Sequence, residues 1–367
     1  MKVIAQTAAL QEGLALVGSI VASRTPKPVL QCIKLVAAGN VLTLMGTDLE
    51  AGARYNLTAV QIEQEGEALI PADRFAGIVR ESAGEDSLTL ATEKEAVTIH
   101  GSGSRFKVFG YDPAEYPMVA DFTEPADFSL PAGAMGHLIT KTLFAAAKSH
   151  SHYAISGVLW ETSGKKLQLV ATDGHRLAQA WTTLSKSVGK NVTAIVPAKI
   201  MTLIQRIASD GEENLDVKVE ENQILIRTAR AVLVSTLVQG NFPKYVDVIP
   251  KEINRKASIA TELLERSLRK AALLTNEESR GVKLSFQGTD RLTLSSRSPE
   301  RGEAEITCPV GFEGEQIDIA FNPGFLLDAL RVVDCDQVSF EMNAANKPAV
   351  LRAGSDFLYV LMPVELG

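Results

Sequence analysis

The chain repeats itself at an interval of about 125 residues, and that interval limits what it can fold into. The run Leu42-Thr-Leu-Met-Gly-Thr-Asp48 returns as Leu167-Gln-Leu-Val-Ala-Thr-Asp173, and more faintly as Leu292-Thr-Leu-Ser-Ser-Arg-Ser298. Three prolines, Pro71, Pro197 and Pro323, stand 126 positions apart, and each follows a short apolar run and precedes a helix-like segment. A third pair is Tyr111-Asp-Pro-Ala-Glu-Tyr-Pro-Met-Val119 and Gln239-Gly-Asn-Phe-Pro-Lys-Tyr-Val-Asp-Val248. Solenoid and propeller repeats run to about 20–50 residues, so this longer period means a triplicated domain. With 367 residues the copies fall at 1–122, 123–253 and 254–367, joined by polar linkers near 121–125 and 251–256.

Each copy has the same internal order. A first helix is expected over 7–23, 132–148 and 261–275. Leu10, Leu14, Val17 and Val21 line one face of the first. A second helix begins at each marker proline, whose fixed φ suits a helix start. Runs such as Ser87-Leu-Thr-Leu-Ala91, Ala96-Val-Thr-Ile-His100 and Leu215-Asp-Val-Lys-Val219 alternate with period two, as half-buried strands do. The fold class is α+β, with two helices and several antiparallel strands per copy.

Charge is distributed unevenly. The chain carries −7 overall. The six expected helices (7–24, 72–80, 132–148, 198–208, 261–275 and 324–333) hold eleven basic residues against five acidic, which leaves −13 for the remainder. A moderate positive excess on equivalent elements of an acidic protein points to one surface meant for a polyanion.

The stretch Ala171-Thr-Asp-Gly-His-Arg-Leu-Ala178 reads as a hairpin with an Asp-Gly turn. Asp173 and His175 beside a serine would suit a hydrolase, but no Gly-x-Ser-x-Gly elbow is present. His150 and His152 have no acidic or Cys partner close in sequence, so a metal site is not expected. No phosphate-binding Gly-x-x-x-x-Gly-Lys-Ser/Thr motif occurs, and no cofactor is expected. Cys32, Cys308 and Cys335 are scattered and odd in number, which fits a reducing cytoplasm. There is no apolar run long enough to span a membrane and no secretion signal at the first residues.

Ala171-Thr-Asp-Gly-His-Arg-Leu-Ala178, Asn241-Phe-Pro-Lys-Tyr245, Asn322-Pro323 and the ending Tyr359-Val-Leu-Met-Pro-Val-Glu-Leu366 resemble the bacterial DNA polymerase sliding clamps over the full length of the chain. The resemblance implies a homodimer closed head to tail into a six-domain ring around duplex DNA. It implies a processivity factor without chemistry of its own, which binds the polymerase catalytic subunit, a clamp-loader ATPase and other clamp-binding proteins. By the same resemblance, Arg24, Arg74, Arg80, Tyr153, Lys199 and Arg206 would meet DNA. A partner-peptide cleft would combine Ile155, Thr172, Gly174, His175, Arg176, Leu177, Pro243, Val248, Asn322, Val360, Met362, Pro363 and Val364. Phe106 and Val108 would meet Leu273 and Leu274 of a second copy, with Arg105 or Lys107 facing Glu300 and Glu303. Two departures bear on the preferred peptide: Asp247 stands where a basic residue is common, and the ending is Met-Pro-Val-Glu-Leu rather than Met-Pro-x-Arg-Leu. A scaffold that binds peptides but not DNA is the competing reading.

Overall fold

The computed structural model describes residues 1–22, 24–148, 153–208, 213–275 and 281–366. Its compact units do not follow the repeat. One comprises 1–135 with 202–237, the other 136–201 with 238–367, so the second copy is shared between them.

The first unit holds two antiparallel sheets. A five-stranded sheet runs in the order Val60–Gln64, Lys2–Gln6, Ser87–Glu93, Ala96–His100, Arg105–Phe109, and the last of these is a free edge among the described residues. An eight-stranded sheet runs Phe128–Pro131, Asn214–Val219, Gln223–Arg227, Ala231–Thr236, Ala51–Leu57, Val41–Thr47, Cys32–Ala38, Gly66–Pro71. In its middle a strand of the first copy pairs with one of the second, with Gly52 opposite Val234. The second unit repeats the plan. Its nine-stranded sheet joins the second copy to the third where Arg176–Thr183 meets Phe357–Leu361, with Leu177 opposite Val360. Its four-stranded sheet ends in a second such edge, Gly302–Pro309. We call the two cross-copy pairings seams.

Six α-helices are described: α1 (Thr7–Val17), α2 (Ala72–Glu81), α3 (Ala132–Thr142), α4 (Ala198–Ile207), α5 (Thr261–Ala272) and α6 (Pro323–Leu330). The first helix of every copy is shorter than its hydrophobic period predicts. The α1 helix stops where the Ser19 hydroxyl donates to the Leu16 carbonyl at 2.6 Å, a local bond that competes with the helical ladder. The chain turns there, yet Ile20 is still fully buried. At the end of α3 the Thr142 hydroxyl back-bonds to Leu138 O at 2.8 Å, and a 3-10 turn, Leu143–Ala145, follows.

These ends correct the charge reading. Arg24 and Lys148 lie beyond the helices, as does Arg331, which caps α6. The α-helices carry eight basic side chains against six acidic ones, because Glu81 also joins α2. Lys141 is not a surface cation: it is buried and bonds both Asp356 carboxylate oxygens, at 3.0 and 2.9 Å. The helical excess is therefore smaller than the sequence implied.

Candidate functional site

The turn at 172–176 is built by its own side chains. The Thr172 hydroxyl donates to Arg176 O at 2.6 Å and accepts from Gly174 N–H at 3.1 Å. Asp173 Oδ1 accepts from the backbone N–H groups of His175 and Arg176, at 3.0 and 3.1 Å. Gly174 sits at φ +89°, where glycine is free of strain. The Thr172 hydroxyl and the Asp173 carboxylate thus have structural tasks in the turn.

Arg176 is only 7% exposed. Its guanidinium bonds Asp173 at 2.9 Å, Asp328 at 2.7 Å and the Phe144 carbonyl at 2.9 Å. It also lies over the rings of Phe325 (4.4 Å to the centroid) and Phe144 (5.5 Å). Burial pulls its pKa down, but Asp328, Tyr359 and Asp173 outweigh burial and hold it above the usual arginine value.

Beside this turn lies a cleft of about 150 Å³. Ile155, Thr172, Gly174, His175, Arg176, Leu177, Pro243, Val248, Val360 and Met362 line it, together with Lys244 and Tyr245. Ten of the thirteen residues expected there are thus brought together. Asn322 is not among the lining residues: its side chain accepts from Gly324 N–H and caps α6. Pro363 and Val364 run out of the cleft, where Val364 N–H donates to Ala320 O at 2.8 Å.

Tyr245 and Lys244 are the residues that sequence reasoning missed. Tyr245 anchors the 243–248 wall. Its hydroxyl donates to Glu161 at 2.7 Å and accepts from the Gln168 amide at 2.7 Å. Burial and the Glu161 carboxylate both push its pKa up. The run Asn241-Phe-Pro-Lys-Tyr245 holds both residues, but the contact that fixes the tyrosine spans 84 positions and leaves no local pattern. The wall's own structure is a single 3-10 turn, Tyr245–Val248.

The other expected surfaces are as follows. Arg74 and Arg80 are strongly exposed on α2, in loose pairs with Asp73 (3.3 Å) and Glu81 (3.4 Å). Lys199 and Arg206 are exposed on α4, seven positions apart and so on one stripe of it. Arg24 is exposed beyond α1, and Tyr153 begins a 3-10 turn, Tyr153–Ser156. Phe106 (37% exposed) and half-buried Val108 lie on the free edge of the five-stranded sheet. Leu273 (74% exposed) and half-buried Leu274 follow α5. His150 and His152 lie outside the described residues. Among the described residues no group of three or more His, Cys, Asp or Glu is placed to hold a metal. None of the described helices is long and apolar enough to cross a membrane.

Three family models cover nearly the whole chain: the N-terminal, central and C-terminal domains of the DNA polymerase III beta subunit match residues 1–120, 129–244 and 246–365. The chain belongs to the DNA polymerase III beta-subunit family. Its sliding-clamp relatives include the beta sliding clamp of Escherichia coli K12, 30% identical over 368 residues and the full length of both chains. The sliding clamp of Pseudomonas aeruginosa, solved bound to griselimycin, superposes over the whole of both chains with a TM-score of 0.94 at 29% identity. The Bacillus subtilis clamp does so with a TM-score of 0.95 at 27% identity. The triplicated α+β clamp fold expected from the repeat is therefore the fold observed.

Proposed function

We propose that this clamp is the processivity factor of a replicative DNA polymerase, that two copies close head to tail into a ring around duplex DNA, and that it tethers partners through the cleft without chemistry of its own. The observation that carries this reading is the pair of free edges. In the first copy Ala91 pairs with Thr98 and Thr98 with Lys107; in the second Lys218 pairs with Leu225 and Leu225 with Val234; in the third Glu341 pairs with Val350 and Val350 with Val360. Lys107, Val234 and Val360 are therefore equivalent. On the hairpin side Thr47, Thr172 and Arg297 pair with Gly52, Leu177 and Glu303, so these three are equivalent too. Both seams join these sets, as Gly52–Val234 and Leu177–Val360. Glu303 with Lys107 is the one combination absent from the described pairings, and a second chain would supply it.

That register is chemically apt. Continued antiparallel, it sets Glu305 opposite Arg105, and Ala304 and Gly302 opposite Phe106 and Val108. Opposite charges and small-against-large pairs meet all along it. A head-to-tail contact of this kind makes a ring when the rotation at its joints closes, and a filament when it does not. Leu273 and Leu274 would be covered by the partner. The copies fall at 1–122, 123–253 and 254–367.

A ring retains DNA by topology, so its lining needs only weak, sequence-blind attraction to phosphates. A lining near charge balance suits sliding, and Arg24, Arg74, Arg80, Tyr153, Lys199 and Arg206 supply the contacts. The clamp works in the cytoplasm with the polymerase and the clamp-loader ATPase. The deciding experiment loads the protein onto a nicked circular plasmid and then cuts the plasmid. Retention on the circle, release after cutting and a solution mass of two chains support the ring. A protein that stays on linear DNA, or never remains on the circle, overturns it.

A further inference from the structure

The two seams are built alike, yet only the second carries this cleft. Their turns close through the same hydrogen bonds to backbone groups. Thr47 Oγ1 donates to Ala51 O at 2.7 Å as Thr172 Oγ1 does to Arg176 O at 2.6 Å. Asp48 Oδ1 accepts from Glu50 and Ala51 N–H, at 3.1 and 2.7 Å, as Asp173 does from His175 and Arg176. Leu49 even holds the positive φ, +81°, that Gly174 holds at +89°. The difference lies beside the turn.

In the first seam the chain covers its own groove. Val119 is 5% exposed and lies over Gly52. A Cβ on Gly52 would stand 2.9 Å from Val119 Cγ1 and 2.9 Å from Val234 Cγ1, closer than carbon atoms approach without repulsion. Arg54 fastens the cover by donating to Val119 O at 3.2 Å. The Tyr116 hydroxyl donates to Cys32 O at 3.2 Å and accepts from Thr47 N–H at 3.0 Å.

In the second seam each of these is changed. Leu177 replaces Gly52 and is buried among Leu159, Val170 and Val360. Gln179 replaces Arg54 and bonds Gln168 at 3.1 Å instead of the wall. Tyr245, the counterpart of Tyr116, is tied to Glu161 and Gln168. Val248, the counterpart of Val119, stays 46% exposed at the cleft's rim.

We propose that Leu177 is the prop of the cleft: its side chain occupies the approach that Gly52 leaves open, and so keeps the 243–248 wall from lying down on the seam as Val119 does. The cleft is then the place vacated by a self-ligand. Leu177 acts as a positioning residue, through Val248, and not only as a contact for whatever binds. The inference rests on the cleft reading for its consequence to partners, but the wall's position can be measured without any partner.

The test uses the full chain carrying Cys335→Ser, since Cys32 and Cys308 are buried. Val248→Cys is added, and its rate of maleimide labelling is followed with Leu177, Leu177→Met and Leu177→Gly, the last because a Cβ alone would already crowd the closed wall. Labelling should be fast in the first two and about tenfold slower in Leu177→Gly, as a thiol loses reactivity on burial. The reverse pair is Val119→Cys with and without Gly52→Val: slow labelling should become about tenfold faster. An unchanged Val248→Cys rate in a Leu177→Gly protein that still melts cooperatively overturns the proposal. If Leu177→Gly does not fold, the Gly52→Val pair decides, and unchanged slow labelling there overturns it. Binding of a fluorescent short peptide with leucine anchors, suited to the apolar lining of the cleft, is measured in parallel. Slowed labelling with undiminished peptide binding would leave the prop standing and remove the cleft as the peptide site.

Discussion

Arg176 Nη1 stands 2.7 Å from Asp328 Oδ2, so the turn that walls the cleft is riveted to α6. The rivet is nearly dry on the arginine side and half open on the aspartate side. Removing one partner of a buried pair strands the other, whereas an open pair costs little. Arg176→Met should therefore destabilise the fold by on the order of 2 kcal/mol, with a matching fall in calorimetric Tm. Arg176→Lys should recover only part of this, since an ammonium cannot bond Asp173, Asp328 and the Phe144 carbonyl in one plane. A Tm for Arg176→Met equal to that of the parent would show the cluster to be idle.

The joint proposed between two chains predicts a charge-swap pattern. Lys107→Glu alone sets like charges opposite one another at Glu303 and should shift sedimentation toward monomer. Glu303→Lys alone should do the same. The double variant should return to dimer, because like charges facing across strands repel while opposite ones contribute about 0.2–1 kcal/mol per pair. A double variant as monomeric as either single would mean that the register is wrong.

Arg74→Ala combined with Arg80→Ala should leave the mass of the dimer unchanged. The slope of log affinity against log salt for duplex DNA should fall by about two, one for each phosphate that an arginine no longer neutralises. Retention on a circular plasmid should persist, because it depends on closure. An unchanged salt slope would take both residues off the DNA surface.

Asp216 predicts an acid-side effect. Burial raises its pKa, but the hydrogen bond from Ser129 and the Arg227 guanidinium prevail and hold it below the usual carboxylate value. A depressed folded pKa stabilises the protein above the unfolded value, near 4, and that stability fades as pH falls through the folded value. Asp216→Asn should thus lower Tm at pH 7, with a deficit that narrows steadily below about pH 4. A deficit constant from pH 7 to pH 3 would assign the effect to shape rather than charge.

The parts of this fold legible in the sequence are those written locally. The Thr172-Asp173-Gly174 turn could be read because its hydrogen bonds close within four residues. The strands at 87–91, 96–100 and 215–219 could be read from their alternation and lie within strands of the structure. Helix ends could not. The apolar spacing of α1 runs on through Val21, but one serine hydroxyl stops the helix while the turn still buries Ile20. Asn322 shows the opposite error. Asn-Pro is a local helix-start signal, fulfilled by its bond from Gly324 N–H, although the family resemblance places the residue in the cleft. The seams and the Tyr245–Glu161 bond join residues so distant in sequence that no local pattern records them.

The first seam also sets a schedule for synthesis. The strand Ala51–Leu57 leaves the ribosome as one edge of its sheet, with a row of unpaired backbone groups. Its mate, Ala231–Thr236, lies about 180 residues further on. At a translation rate of about 5–20 residues per second that edge waits roughly 10–40 seconds for its partner. During that time a neighbouring nascent chain on the same messenger presents the same edge and can pair with it. The joint that holds the first two copies together in the finished protein is therefore, while it is being made, an edge open to aggregation, and the second seam, where Leu177 waits for Val360, is open in the same way.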